Sequence, residues 1–294
     1  MSNLNKILDD IKICCKKISN IIRYSNSLDM EKLSNEYNLS GDNAKKLDLI
    51  SNEILKSQLL KCKYIRVIGS EEEKQLVNTE FTNAPYMICF DPLDGSSNIG
   101  VNITTGTIFA VYKYNKNNKI KDGNDIVMAG YCLYGGSTQL VVAKETVNIY
   151  QLNKDFEIIS ENWVIPNKGK FYAINESNRY CWLDNRNIKL INKLISENYS
   201  ARWVGSLVAD GHRTLIKGGF FGYPGNSKHK RGKIRLLYEA YPFSFIFKVA
   251  GGCSYNSMEN IFLLDVPYSE NNCHQKTPII LSSKYEFDLF ININ

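Results

Sequence analysis

Two carboxylates stand close together in the stretch Phe90-Asp91-Pro92-Leu93-Asp94-Gly95-Ser96-Ser97-Asn98-Ile99. They follow an apolar run, Tyr86-Met87-Ile88-Cys89-Phe90, that reads as a short buried strand. Pro92 fixes φ and is expected to stop that strand, and it biases Asp91 toward an extended backbone. A turn built this way can aim Asp91, the Leu93 carbonyl and Asp94 at one point. Hard divalent cations take such oxygen ligands, and Mg2+ usually accepts one or two carboxylates together with phosphate oxygens of a substrate. Gly95, Ser96 and Ser97 then offer small side chains and free backbone N–H groups, which form an anion cradle where a helix or turn begins. Metal ligands beside a phosphate nest suggest metal-assisted phosphate chemistry. Asp-Pro and Asp-Gly are also common turn formers, so the weight lies in the whole ordered stretch and not in either acid alone.

Two carboxylates cannot hold several Mg2+ ions and also activate water. A second acid set stands ready upstream. Tyr64-Ile65-Arg66-Val67-Ile68-Gly69 reads as a strand, and Ser70-Glu71-Glu72-Glu73 follows it. Three adjacent acids after a strand are often just a solvated turn; here they supply what the Asp91/Asp94 turn lacks.

The elements that must position these acids are legible by periodicity. Leu4, Ile7, Leu8, Ile11, Cys14, Cys15, Ile18, Ile21 and Ile22 recur at helical spacing, with Ser2 or Asn3 able to cap the start. Residues 25–42 are polar and read as a loop with at most a short helical turn. Gly41-Asp42 opens a second helix, with Leu47, Ile50 and Ile54 on its buried side. Strands are expected over 107–114, 127–134 and 139–143, joined by turns such as Gly135-Gly136. The first half is therefore two helices and a mostly antiparallel sheet. A polar stretch over 162–168 marks a boundary between an N-terminal domain, 1–165, and a C-terminal domain, 166–294. Beyond it, strands over 171–174, 220–223, 261–264 and 278–281 alternate with helices over 186–197, 206–217 and 239–250. Pro242 is tolerable in the first turn of the last helix, and Gly251-Gly252 ends it. Such alternation predicts a layered α/β fold.

Bulk composition narrows the classes. The chain has 294 residues, 44% hydrophobic and 22% charged, as ordinary globular proteins do. The net charge of +6 is mild, and lysines are mixed with acids, which gives no argument for nucleic acid. No apolar run approaches membrane-spanning length, and no secretory signal opens the sequence. The eight cysteines lack a paired metal-ligand spacing, so reduced thiols in a cytoplasmic protein are expected.

The stretch over residues 90–99 resembles the signature of the fructose-1,6-bisphosphatase family, within the wider superfamily of Mg2+-dependent, lithium-sensitive sugar and inositol phosphatases. Other stretches resemble the same family in the same order: Gly41-Asp42-x-x-Lys45-Lys46-Leu47-Asp48, Ser70-Glu71-Glu72, Leu133-Tyr134-Gly135-Gly136-Ser137, Asn175-Glu176, Arg202-x-Val204-Gly205-Ser206-Leu207-Val208-Ala209-Asp210 and Lys233-Ile234-Arg235-Leu236-Leu237-Tyr238-Glu239. The resemblance implies a five-layered α/β/α/β/α fold, homo-oligomers that are dimers or tetramers, and removal of the 1-phosphate of fructose 1,6-bisphosphate in gluconeogenesis.

Residue by residue, it implies that Glu71, Asp91, Asp94 and Glu239, with the Leu93 carbonyl, bind two or three Mg2+ ions, or Mn2+ in their place. Glu72, helped by Asp48, would orient and deprotonate the attacking water. Gly95, Ser96 and Ser97 would hold the 1-phosphate, and Asp94 and Leu207 would contact the sugar. Asn175, Tyr223 and Lys233 would hold the 6-phosphate, which Arg202 would reach from a neighbouring subunit. Elementary chemistry agrees. A scissile phosphate needs charge neutralisation, an in-line water and a stabilised leaving oxygen. A distal phosphate needs only fixed donors, and holding it positions the reacting end. Taken singly, Asp48 reads as an exposed helix acid, Tyr223 as a strand aromatic, His212 as a packing residue and Lys228–Arg231 as a solvated turn.

Three positions depart from the family pattern. Gly100 stands where family members usually carry Asp. Trp203 replaces the usual Tyr beside Arg202 and offers an N–H but no hydroxyl. Ser177-Asn178 replaces the usual Gly-Tyr after Asn175-Glu176. The last two bear on the distal phosphate and open an alternative substrate, sedoheptulose 1,7-bisphosphate or another substrate of the superfamily. A degenerate sugar-phosphate-binding regulatory subunit is a further alternative. Tyr86 and Lys113 match part of the family's AMP site, but Pro85 sits where a lysine is usual, and the first helix begins about where the family's phosphate loop ends. Weak or absent AMP inhibition is therefore expected.

Overall fold

The structure is a computed structural model that describes residues 3–24, 43–114, 120–269 and 273–293. The loop expected over 25–42, the Gly41-Asp42 helix start and the Ser2 cap lie outside the described residues. Helix α1 (Asn3–Tyr24) and helix α2 (Asn43–Leu59) bury the stripe that the periodicity predicts: Ile7, Ile11, Cys14, Cys15, Leu47 and Ile50 are fully inaccessible.

An eight-stranded sheet follows, with strand order β2-β1-β3-β4-β5-β6-β7-β8. Its strands are β1 (Ile65–Ser70), β2 (Val77–Asn78), β3 (Tyr86–Asp94), β4 (Thr105–Lys113), β5 (Ile126–Tyr134), β6 (Thr138–Ala143), β7 (Val147–Leu152) and β8 (Phe156–Ser160). All neighbours are antiparallel except β1 and β3, which run parallel. Both faces of the central strands β3 to β6 are buried, so these strands read as apolar runs.

The period of two sorts the side chains. Ile88 and Phe90 join α1 and α2 in one core. Met87 and Cys89 point the other way, into a core shared with two helices of the second half.

Those helices are α4 (Leu207–Lys217) and α5 (Tyr241–Val249); α3 (Arg186–Ser196) precedes them and α6 (Lys284–Asn292) follows. A six-stranded sheet lies beyond, in the order β10-β9-β11-β16-β13-β14. It comprises β9 (Phe171–Ile174), β10 (Ser200–Ala201), β11 (Phe220–Tyr223), β13 (Cys253–Asn256), β14 (Ile261–Phe262) and β16 (Ile279–Ser282). A small pair, β12 (Ile234–Arg235) and β15 (Lys276–Thr277), stands apart. Phe221 and Leu281 reach the central helix core, whereas Phe220 and Ile280 face α3 and α6. The succession is helices, sheet, helices, sheet, helices: the five-layered α/β/α/β/α arrangement.

Four expectations are corrected. Pro92 does not stop β3: the strand runs on to Asp94 through a register shift between Asp91 and Asp94, because a bulge tolerates a residue without an N–H. The hairpin of β7 and β8 extends the sheet beyond 139–143. The strand expected over 261–264 ends at Phe262 and turns into a 3-10 helix over Leu263–Asp265. The helix expected over 239–250 is a π-helical turn, Leu236–Ala240, running into α5.

Candidate active site

The parallel pairing of β1 with β3 brings Ser70 opposite Phe90, so Glu71, just past the end of β1, stands beside Asp91 of β3. The Glu71 N–H donates to the Phe90 carbonyl at 3.2 Å. Alternation puts Asp91 on the same face as Met87 and Cys89, toward the central helices. From that layer the π-helical turn supplies Glu239. Oxygens of Glu71, Asp91 and Glu239 lie within 4.8 Å of one another. Asp91 and Glu239 are buried and Glu71 is half-buried.

Such crowding is costly for ionised groups. Burial pushes the Asp91 carboxyl well above the usual carboxylate range, and the charges of Glu71, Asp94 and Glu239 push it further. Glu239 is raised by burial, then by Glu71 and Asp94. It is partly relieved by Arg235, whose backbone N–H donates to it. The Arg235 guanidinium also sits 3.4 Å from Glu71. Hard carboxylate oxygens, converging in a buried place and repelling one another, fit a divalent cation of the Mg2+ type.

Asp94 lies outside that threesome and is held differently. Ser206 caps α4, and its hydroxyl donates to Asp94 Oδ2 at 2.6 Å while the Val208 N–H donates to the same oxygen at 2.8 Å. Burial raises Asp94 to about 6, against the pull of these donors at the helix N-terminus. Gly95 has φ of 76°, and a Cβ there would meet Ser206 Cβ at 2.8 Å, so glycine is needed for both conformation and approach. A 3-10 helix over Ser96–Val101 follows, with Ser96 half-buried and Ser97 exposed. Leu207, at the first turn of α4, and Leu93, inside the bulge, are buried.

The three adjacent acids have three fates. Glu71 joins the cluster. Glu72 is exposed, its N–H donating to Ser70 Oγ at 3.3 Å. Glu73 binds Lys56 Nζ at 2.7 Å and Asn52 Nδ2 at 3.1 Å, and the Lys56 hydrogen bond lowers its pKa. Asp48 is half-buried on α2, one turn before Asn52, whose amide oxygen accepts from Ser70 Oγ at 2.7 Å. Asp48 thus shares the helix face that meets the end of β1.

The residues expected at the distal phosphate gather around β11. Asn175 and Tyr223 line one pocket with Asn178, Trp182 and Asn226. Asn175 accepts from the Ser177 N–H and hydroxyl. Trp203 packs its ring near Tyr223, centroids 6.4 Å apart. The Tyr223 hydroxyl is raised by burial and then by the charge of Glu239, which ties this end to the carboxylate cluster. Lys233 is exposed just before β12, and Arg202 is exposed with its guanidinium 5.6 Å from the Phe171 ring. His212 is a packing residue: Nδ1 meets the Tyr131 hydroxyl at 2.8 Å, and burial lowers its pKa to about 4.

The family pattern described as fructose-1-6-bisphosphatase, N-terminal domain matches residues 1–159, and the one described as its C-terminal domain matches residues 165–293. The chain belongs to the fructose-1,6-bisphosphatase family. A class 1 fructose-1,6-bisphosphatase of Sulfurihydrogenibium sp. is 38% identical over 294 residues, 97% of this chain and 90% of the relative. A chloroplastic fructose-1,6-bisphosphatase of Brassica napus is 35% identical over 98% of this chain and 76% of its own length. Among solved structures, Leishmania major fructose-1,6-bisphosphatase in holo form superposes with a TM-score of 0.89 at 35% identity, covering 99% of this chain and 93% of that one. Within this fructose-1,6-bisphosphatase site, sequence reasoning gave no role to Ser206 or Arg235. Both stand inside the quoted motifs, and the Gly205-Ser206 helix start was the available signal for the first. Nothing local signals that Arg235 would meet Glu71.

Proposed function

We propose that the chain removes the 1-phosphate of fructose 1,6-bisphosphate, giving fructose 6-phosphate and phosphate, as a cytoplasmic enzyme of gluconeogenesis. The observation that carries this reading is the convergence of Glu71, Asp91 and Glu239 beside the Asp94-Gly95-Ser96 turn in a chain of this family. Glu71, Asp91, Asp94 and Glu239, with the Leu93 carbonyl, hold two or three Mg2+ ions, or Mn2+. Bound there, the metal supplies charge neutralisation for the phosphate and its leaving oxygen and makes water more acidic. Glu72, with Asp48, orients the attacking water and takes its proton. Gly95, Ser96 and Ser97 hold the 1-phosphate with small side chains and backbone N–H groups. Asp94 and Leu207 contact the sugar. Asn175, Tyr223 and Lys233 hold the 6-phosphate, and Arg202 completes that end from a neighbouring subunit of a homodimer or homotetramer.

Residues 1–165 then carry most of the metal site and residues 166–294 most of the sugar-phosphate site, with Glu239 crossing between them. Among the described residues no helix is long and apolar enough to cross a membrane. AMP regulation is weak or absent.

The departures at the distal end favour a second substrate for comparison. Asn178 lines the same pocket as Asn175 and Tyr223, so sedoheptulose 1,7-bisphosphate belongs beside the six-carbon substrate in any assay. Phosphate release from fructose 1,6-bisphosphate should require Mg2+ and fall about 10²–10⁴-fold in Glu72→Gln, with inositol monophosphate a poor substrate. Binding of the bisphosphate without release would instead support a regulatory subunit. Faster release from the seven-carbon substrate would reassign the physiological one.

A further inference from the structure

The bulge in β3 creates a hydrogen-bonding problem that the metal turn must solve. Between Asp91 and Asp94 the strand advances three residues, while its partner β4 advances two, from Ile108 to Gly106. One residue of β3 is therefore unpaired. Buried backbone groups nonetheless need partners. The peptide unit joining Pro92 to Leu93 finds them outside the ladder. Its N–H donates to Asp91 Oδ1 at 2.9 Å. Its carbonyl accepts from the Thr107 hydroxyl at 2.8 Å.

A second bond extends this arrangement. Thr107 Oγ1 lies 2.8 Å from the Tyr134 hydroxyl. A threonine has one hydroxyl proton, and a carbonyl can only accept, so the Thr107 proton is committed to Pro92. Tyr134 must then donate to Thr107. The result is a directed chain from the Tyr134 hydroxyl through the Thr107 hydroxyl to the Pro92 carbonyl. Thr107 is fully buried and Tyr134 nearly so, and in such surroundings successive hydrogen bonds polarise one another.

We infer that Thr107 and Tyr134 are positioning residues for the metal turn. A trans peptide is planar, with N–H and C=O pointing opposite ways. Holding the carbonyl from one side therefore fixes the N–H on the other. That N–H engages Oδ1 of Asp91 and so holds the plane of the carboxylate that stands within 4.8 Å of Glu71 and Glu239. The hydroxyl chain thus decides how a buried carboxylate two strands from Tyr134 presents itself. This inference rests on the metal-binding part of the proposed function.

The test compares wild type, Thr107→Val, Thr107→Ser and Tyr134→Phe by Mn2+ titration with electron paramagnetic resonance, alongside thermal melting and phosphate release at varied Mg2+. Thr107→Val keeps the shape and loses the hydroxyl. It should weaken Mn2+ binding about tenfold and raise the Mg2+ concentration for half-maximal release by a similar factor, with the KM for the sugar bisphosphate unchanged. Thr107→Ser should restore both. Tyr134→Phe should show a smaller loss of the same kind, and it carries the test if Thr107→Val does not fold. Equal Mn2+ binding across wild type and folded variants overturns the inference, whether or not release is seen. Wild type that binds Mn2+ but releases no phosphate overturns the proposed reaction and leaves the positioning role standing.

Discussion

The two ends of the proposed site are built on opposite plans. At the metal end, Asp91 and Glu239 are buried, face Glu71 at close range and have their protonation raised by burial and mutual repulsion. Their placement comes from strand register, a bulge and a π-helical turn. At the distal end, Lys233 and Arg202 are exposed, and the half-buried Tyr223 and Asn175 line a small pocket with Asn178. Charge at the first end is crowded and buried, and Arg235 relieves it only in part. Charge at the second is solvated. Two departures from the family pattern stand at exposed positions, one on each side of this divide. Trp203 is 39% exposed, and a Cβ at Gly100 would meet nothing within 4 Å. Gly100 is not locked by neighbours, whereas Gly95 is, and Trp203 keeps ring contacts with Phe221 and Tyr223.

Breaking the buried end should have the largest effect. Asp91→Asn removes one of the crowded charges without changing shape, so release should fall about 10²–10³-fold. In chelator its melting temperature should rise, by about 2–4 °C for each kcal/mol of repulsion relieved. A fall in melting temperature would mean that the cluster is not under electrostatic strain. Lys233→Ala probes the open end. KM for the bisphosphate should rise about tenfold, as for loss of a charged hydrogen bond, while kcat changes little. A kcat loss with KM intact would place Lys233 in the chemistry.

The contrast can be sharpened by pH. Asp94 titrates at about 6 rather than at its ordinary 3.8, so the folded state retains a proton that the unfolded state has lost. Its stabilising contribution is present below the ordinary value and is lost as pH rises through about 6. Chelated protein should accordingly lose melting temperature across that interval, and Mg2+ should restore it most at the upper end. A profile unchanged by Mg2+ would separate Asp94 from the metal. The smallest effect is expected from AMP. Tyr86 and Lys113 are cross-strand neighbours at the far end of β3 from the metal turn, and release should be unaffected at micromolar AMP. Inhibition at that level would join the two ends of the strand functionally.

Much of the architecture was legible because each element carries its own pattern. The buried stripe of α1 repeats at helical spacing, and the runs in β4, β5 and β6 are apolar on both faces. The errors fell where partners, not local preference, decide. Pro92 is a strand breaker by itself, yet β3 continues because Thr107 and Asp91 satisfy the displaced peptide. The π-helical turn at Leu236–Ala240 has no sequence signature, although it is the turn that carries Glu239. Among the three acids after β1, only the pairing of Lys56 and Asn52 with Glu73 separates a structural carboxylate from Glu71.

The sequence by itself determined the chemistry available: the ordered acids, the small residues after them and the spacing that resembles a known phosphatase signature. Those are properties of residue type and order, which local rules read directly. Only the tertiary structure decided which carboxylates converge, that Ser206 and the start of α4 hold Asp94, and that Arg235 stands against Glu71. Apart from the meeting of Glu71 with Asp91, these contacts join residues more than a hundred positions apart. Their geometry follows from sheet register and layer packing, which no local stretch of sequence encodes.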